Sequence, residues 1–418
     1  MGTNDGLLND YRVLDLCNSE CLICGKLLAD FGADVIKIEK PGGDAFRNIG
    51  PFYHDIPDPE KSIPWFAYNT GKRSISLDIE TQDGQEIFKR LAKTIDIIVE
   101  SLPPGYMEKW GLGYKDLNKI NPALIMTSIT PFGQSGPYRD YHAPDLVLMA
   151  MSGVQYLYGN PDRPPLRVSY PQAYLHAGAD AFAGTLIALY HRELTGEGQY
   201  VDVSVQESTM LAMFNALPFW DMNKINQKRL GSLRGGLTLA GIKLNQTWQC
   251  KDGYVTFMLM GARAGAKTNR ALVEWMDSEG MSDDLLNSMD WSTYDFGTTT
   301  QEFHDRVHEP IAKFFLTHTQ QELFQGAIER DIMLYPANNV EAIVNDPQLG
   351  ARDFWQELEH PELSTTIRYP GAVMKASDIE LSPKRRAPLI GEHNLDIYEG
   401  ELGLSREEIL ILKQANVI

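Results

Sequence analysis

Positive charge is scarce in this chain. Against 56 aspartates and glutamates stand 38 lysines and arginines, a formal net charge of −18. So acidic a surface repels phosphate backbones and anionic bilayers, so neither nucleic acid nor a membrane is expected as a partner. An anionic ligand would have to be met by locally concentrated cations. Cysteine is sparse too: Cys17, Cys21, Cys24 and Cys250 in 418 residues are too few for a disulfide framework. Apolar runs are short. Ala183–Tyr190 falls well under the ~20 residues that span a bilayer. Met1–Asp10 is polar, with no basic leader before an apolar stretch, so no signal peptide is expected and a soluble cytoplasmic protein is the default.

What is present is ordinary globular sequence, 43% hydrophobic, long enough for two domains. Arg12–Leu16 is a short β-rich run, Leu27–Gly32 reads as a helix end closed by glycine, and Asp34–Glu39 alternates like a strand. Strand, helix and strand in so short a span predict a βαβ unit and a parallel sheet. Ser74–Ile79, Ile95–Glu100 and Leu124–Thr130 continue as strands, Thr81–Lys93 as a helix, and Asp145–Gly153 and Tyr174–Leu194 as helices. Asp221–Thr247, with Gly231, Gly235, Gly236 and Gly241, reads as loop, followed by a strand at Gly253–Met260 and a helix at Thr268–Met276. From Asp331 the chain turns proline-rich and irregular, then ends in a helix at Ser405–Gln414, where Ser405 and Glu408 fit a capping box. The expected class is α/β, with a large domain over 1–224, a small one over 225–325, and 326–418 returning to the large domain.

A set of segments in a fixed order carries a functional signal. LLADFGADVIKIEKPGGDAFR (27–47), NTGKRSISLDI (69–79), PFGQSGPY (131–138), LYHRELTGEGQYVDVSVQES (189–208), DPQLGARDFW (346–355), APLIGEHN (387–394) and ELGLSREEI (401–409) resemble the successive signatures of the family III CoA-transferases, the group of formyl-CoA and crotonobetainyl-CoA transferases. The resemblance implies a Rossmann-like large domain, a small α/β domain, and two chains threaded like interlocked rings. It implies a coenzyme A thioester as substrate. It also implies an aspartate that attacks the thioester to form a mixed anhydride while CoA thiolate leaves.

Counting back from Gly184 and His191-Arg192, the family's aspartate position falls on Tyr174 and its D-x-x-x-G glycine on Gly178. A phenol with a pKa near ~10 cannot form an acyl anhydride. Asp180 stands six residues on, about 600° round a helix, and faces elsewhere. Other positions depart as well. The arginine that serves the CoA phosphates is Pro103, a Gly-Pro after the first strand is Cys21-Leu22, a lysine near CoA is His142 and a tyrosine is Pro144, while an acid remains as Asp145. The departures cluster in the active-site motifs and spare the scaffold. The reading is therefore no catalytic residue of its own, with the nucleophile expected on a paralogous catalytic partner subunit.

Lys40, Lys72 and Arg73 match basic positions flanking the nucleotide of CoA, and with His142 and Asp145 they form the candidate residual CoA site; ordinary surface charge or a solvated loop are the plain alternatives. His176 and Asp180, at i and i+4, suit a polar pair in a dimer contact better than a catalytic pair. Gly261–Gly265 sits where the family has a mobile glycine-rich loop, or is a strand-to-helix turn. A racemase of the same family needs bases at the positions of Pro144 and Tyr174, which lack them. The C-x3-C-x2-C spacing of Cys17, Cys21 and Cys24 could hold an iron–sulfur cluster, but Ile23 stands where that motif usually has an aromatic; no metal is expected. The remaining readings are a homodimeric CoA-thioester enzyme with a rearranged site, and a CoA-ester-binding scaffold.

Overall fold

The computed structural model describes residues 6–234 and 242–418. Gly235, Gly236 and Gly241 of the expected loop, and the first five residues of the polar N-terminal stretch, lie outside the described residues. Two compact units divide the chain. The first comprises the residues up to Val154, Val168–Phe214 and Pro347–Ile418; the second comprises Gln155–Arg167 and Asn215–Asp346.

The first unit is built on six parallel strands: Arg12–Leu16 (β1), Asp34–Glu39 (β2), Arg73–Ser76 (β3), Ile97–Glu100 (β4), Ile125–Thr130 (β5) and Tyr200–Ser204 (β6). Their order is β3-β2-β1-β4-β5-β6, so the winding reverses between β1 and β4. Side chains alternate across the sheet as strand geometry requires. Val13, Val35, Ile97 and Val99 enter one buried cluster. Leu14, Ile36 and Ile98, one position along, enter the other. Burial on both faces explains why these strands read as near-continuous apolar runs. The first face is covered by Ile23–Asp30 (α1) and Ala173–Thr195 (α4), the second by Gln82–Ala92 (α2), whose Ile87, Phe88 and Leu91 point inward. A short helix, Asp145–Met151 (α3), precedes α4. At Gly178, α4 comes so close to the start of α1 that a Cβ would stand 2.2 Å from Ile23 Cγ2; only glycine allows that approach.

Residues after 386 complete this unit. Asn394 Oδ1 accepts from Ser76 N–H at 2.9 Å, His393 N–H donates to the Ser74 carbonyl at 2.9 Å, and Tyr398 donates to the Ser76 carbonyl. Buried Arg47 stacks 3.8 Å over Trp65, pairs with Glu39 and Glu60, and donates to the Pro388 carbonyl at 2.9 Å. The proline-rich region is less irregular than expected, since Trp355–His360 and Thr365–Pro370 form an antiparallel hairpin. Its prolines fall where strands tolerate them, Pro361 in the turn and Pro370 at a strand end.

In the second unit, Ala216–Asn223 (α5) is followed by Thr247–Gln249 (β7) and Tyr254–Phe257 (β8), then helices Ala262–Ser278 (α6), Gln301–Thr317 (α7) and Gln320–Arg330 (α8), and Leu334–Pro336 (β9). The strands pair antiparallel in the order β9-β8-β7. They pack Trp248 and Phe257 against Trp275, Phe314 and Phe315 of the helices. The helix expected from Thr268 begins at Ala262, so Gly261 is its N-cap and Gly265 is helical, wedged 2.1 Å from the Met260 carbonyl when a Cβ is built on it. Among the described residues, no helix is long and apolar enough to cross a membrane.

Candidate active-site crevice

Open parallel sheets bind ligands beyond the carboxyl ends of their strands, where the winding reverses. Two adjoining cavities of about 380 Å³ each lie there in the first unit. Asn18, just past β1, and Leu102, just past β4, line both. The two segments are tied together. Asn18 N–H donates to Ser101 Oγ at 2.8 Å and the Ser101 hydroxyl donates to Asn18 Oδ1 at 3.0 Å.

The first cavity lies among Ser101–Pro104, the Arg139–Pro144 loop and Tyr174. Tyr174 sits in the first turn of α4, and its hydroxyl donates to the Ala143 carbonyl at 2.6 Å. Asp145 does not line the cavity. Its Oδ1 accepts from Gln172 and Ala173 N–H at 2.7 and 2.8 Å, so the N-terminus of α4, which would attract an anion, is already met by a carboxylate. His142 lines the cavity and is exposed.

The second cavity is bordered by Lys37, Lys40, Asp44 and Tyr106. Lys40 pairs with Glu80 at 2.5 Å, and Tyr106 donates to the same Glu80 oxygen; these donors hold the exposed Glu80 carboxyl below its usual range. Lys37 is buried, close to the Cys17 carbonyl and Asp44.

Two further cations stand apart from the cavities. Lys72 is fully buried. Its ammonium is held by Asp15 at 2.7 Å, the Leu22 carbonyl at 2.9 Å and Asn69 at 3.0 Å, and burial pushes its pKa down against the pull of Asp15. Arg73 begins β3, at the opposite end of the sheet from the cavities, where it is engaged by Asp34 and Glu401. Of the candidate CoA residues, Lys40 and His142 therefore reach the crevice, while Lys72, Arg73 and Asp145 are engaged elsewhere in the unit. No hydrogen bond or ion pair joins His176 to Asp180 among the described residues. Cys17, Cys21 and Cys24 are buried, and burial raises Cys17 and Cys24 far above the ordinary thiol range. Among the described residues no group of three or more His, Cys, Asp or Glu side chains is arranged to hold a metal.

Sequence reasoning missed two groups, one in the crevice and one beside it in the chain. Arg139 lines the first cavity. Glu100 lines neither cavity; it ends β4 directly before the Ser101–Pro104 segment, is 4% exposed, and accepts from Leu102 N–H at 2.6 Å and from the Ser128 hydroxyl. Burial raises its carboxyl to about 7; the two hydrogen bonds oppose the shift, and nearby Glu108 and Asp202 add to it. The signal for both was position alone, at a strand end or in a loop after a strand beside the winding reversal.

The chain's likenesses agree with this geometry. It is 34% identical over 389 residues to the succinyl-CoA:(R)-benzylsuccinate CoA-transferase subunit BbsE of Thauera aromatica, covering 93% of this chain and 92% of that one. It is 30% identical to the succinyl-CoA–D-citramalate CoA-transferase of Chloroflexus aurantiacus, covering 98% of both. The structure of a CAIB/BAIF family protein from Brucella suis superposes with a TM-score of 0.80 at 26% identity, over 95% of this chain and 99% of that one. The model of CoA-transferase family III matches residues 8–394, which takes in the whole winding-reversal crevice, and the chain accordingly belongs to the family III CoA-transferases.

Proposed function

We propose that this chain is a non-catalytic subunit of a heteromeric CoA-transferase that moves CoA from an acyl-CoA, succinyl-CoA by preference, to a carboxylic acid of the aryl-succinate kind. The observation that carries the reading is Tyr174. A phenol stands in the first turn of α4, at the edge of the crevice, bonded to the Ala143 carbonyl. Among the described residues the only carboxylate lining that cavity is Asp140, an exposed group paired with Arg139. A nucleophile that attacks a thioester must be ionised and within reach of the thioester carbonyl, and among the described residues no carboxylate stands at the start of α4 facing this cavity, where the resemblance places the nucleophile. The succinyl donor is suggested by the printed activities of the relatives above.

The transfer then runs on a paralogous partner carrying an aspartate at the Tyr174 position. There, the carboxylate attacks the thioester carbonyl and CoA thiolate leaves; the incoming acid attacks the aspartyl carbonyl of the mixed anhydride and releases the donor acid, and CoA thiolate then attacks the incoming acid's carbonyl in the second anhydride, forming the new thioester and freeing the aspartate. In this chain the arginine expected for the CoA phosphates is Pro103, which leaves the nucleotide part of CoA without its bidentate partner. A need for a partner is supported by α5, an apolar helix with no buried residue in the single chain, whose Leu217, Trp220 and Met222 are 46%, 49% and 80% exposed.

The test is co-expression of this chain with its paralogue under separate tags, then incubation with succinyl-CoA and hydroxylamine. A hydroxamate on the paralogue's aspartate and none on this chain is expected. The Tyr174→Asp variant should add no second working site. A hydroxamate on Asp140, Asp145 or Asp180, or full turnover by this chain alone, overturns the reading.

A further inference from the structure

The second unit has a cavity of its own, about 450 Å³, whose lining belongs to that unit. His304 and His308 line it from α7. At i and i+4 they share one face of that helix. His304 is 2% exposed, and Trp248 stacks on the His308 ring at 3.6 Å. Each ring is held by one nitrogen. The Tyr294 hydroxyl stands 2.6 Å from His304 Nδ1, and the Asn245 amide 3.1 Å from His308 Nδ1. The other nitrogen, Nε2, is buried on both rings and has no hydrogen-bond partner among the described residues. Buried polar atoms are almost always paired, so two such nitrogens on neighbouring rings mark a place for a ligand. Burial favours the neutral form of both imidazoles, lowering His304 and taking His308, with His304 beside it, to about 3.

We propose that His304 and His308 bind one divalent first-row transition metal of the zinc class through their Nε2 atoms. A neutral imidazole whose Nδ1–H is held by an oxygen offers its Nε2 lone pair to a metal. The Tyr294 oxygen can accept from His304 Nδ1–H. A half-turn of the Asn245 amide puts its Oδ1, in place of Nδ2, beside His308 Nδ1. The spacing of the rings fits. With metal–nitrogen bonds of about 2.0–2.1 Å and a tetrahedral angle, two imidazoles on one ion have ring centroids about 5 Å apart. The His304 and His308 centroids stand 5.2 Å apart. Imidazole pairs suit zinc, copper and nickel. Among the described residues, the charged lining is two carboxylates, Asp305 and Glu309, against one cation, Lys243, a balance that favours a cation. With two protein ligands the ion keeps water in its other positions and clips one turn of α7. It belongs to the second unit, and its presence is independent of which subunit carries the nucleophile.

Zinc is the probe, with cobalt as its coloured stand-in. The protein, in the assembly in which it purifies, is stripped with chelator and titrated with each. The wild type should take up one more ion per copy of this chain than either His304→Gln or His308→Gln. Counting by difference leaves out ions taken by the cysteines. Cobalt bound between the rings should show the intense visible bands of a four-coordinate site. Zinc should raise the Tm of the wild type and of neither variant, since it stabilises only a fold that binds it. Melting of the metal-free proteins shows that each variant folds. Anomalous scattering at the zinc edge from wild-type crystals needs no variant, and should place the ion between the two rings. Water alone between the rings at millimolar zinc, equal uptake by the wild type and both variants, or a rise in Tm that both variants share would each overturn the assignment.

Discussion

Replacing Glu100 with glutamine tests how the end of β4, next to the crevice, is held. The carboxyl is buried at the end of β4 and accepts from Leu102 N–H and the Ser128 hydroxyl, while Tyr200 donates to Ser128 Oγ at 2.9 Å. Its pKa rises from 4.5 to about 7 because burial outweighs those hydrogen bonds. Below pH 4.5 the group is protonated in both folded and unfolded chains. As pH rises through 4.5 the unfolded chain releases its proton and the folded one keeps it, so stability falls until the folded group has ionised above pH 7. At 1.36 kcal/mol per pKa unit, a rise of this size corresponds to about 3 kcal/mol lost across that window. Glutamine keeps an oxygen for Leu102 and cannot ionise, so it should not suffer the loss. For a chain of this length that difference is about 3–4 °C in Tm. Melting curves of both proteins from pH 4.5 to 8.5 should show the variant gaining on the wild type by that amount between pH 5 and 7.5, then running parallel. A difference constant to within a degree across the range would mean that folding does not raise the Glu100 pKa and that this account of its burial is wrong.

Two further substitutions follow from the same region. Lys72→Met should destabilise the first unit by about 3–5 kcal/mol, because Asp15 would keep its charge in a fully buried site with no cation beside it; the double variant with Asp15→Asn should regain most of this in urea or thermal unfolding. Asp145→Ala removes the acceptor for two N–H groups at the start of α4 and should lower stability by about 1–2 kcal/mol, with faster amide exchange confined to residues 172–176.

Much of the sheet was legible because its strands obey local rules. Arg12–Leu16 and Asp34–Glu39 appear where the apolar runs put them, and α4 runs within a residue of Tyr174–Leu194 at each end. Ser405 and Glu408 form the capping box that their spacing predicts. The strand Tyr200–Ser204 was passed over because only two of its residues are buried and its apolar signal is correspondingly weak. The hairpin at 355–370 was hidden by prolines that fall at its turn and its end. The destinations of the charged residues were the least legible. Lys72 and Arg73 are neighbours in sequence and opposites in environment, since consecutive residues entering a strand point to opposite faces. Lys72 meets Asp15, 57 residues away, and Arg73 meets Glu401, 328 residues away. Such pairings are products of topology and leave no mark in a local window. Asp145 likewise reads as a residue of its own helix, yet it caps the next one.

The last 30 or so residues carry a consequence for biosynthesis. His393 and Asn394 complete the edge of β3 from 319 and 318 positions downstream. At about 5–20 residues per second on a ribosome, β3 is finished and then waits on the order of 15–60 s for the segment that covers it. Through that interval Arg47 lacks the Pro388 carbonyl and the apolar slot for Ile397 and Tyr398 stands open. The second unit, encoded in between, has all its strands in hand long before. A nascent chain arrested after residue 346 should thus carry one finished unit and one unfinished one, and the unfinished one is where a chaperone would hold it.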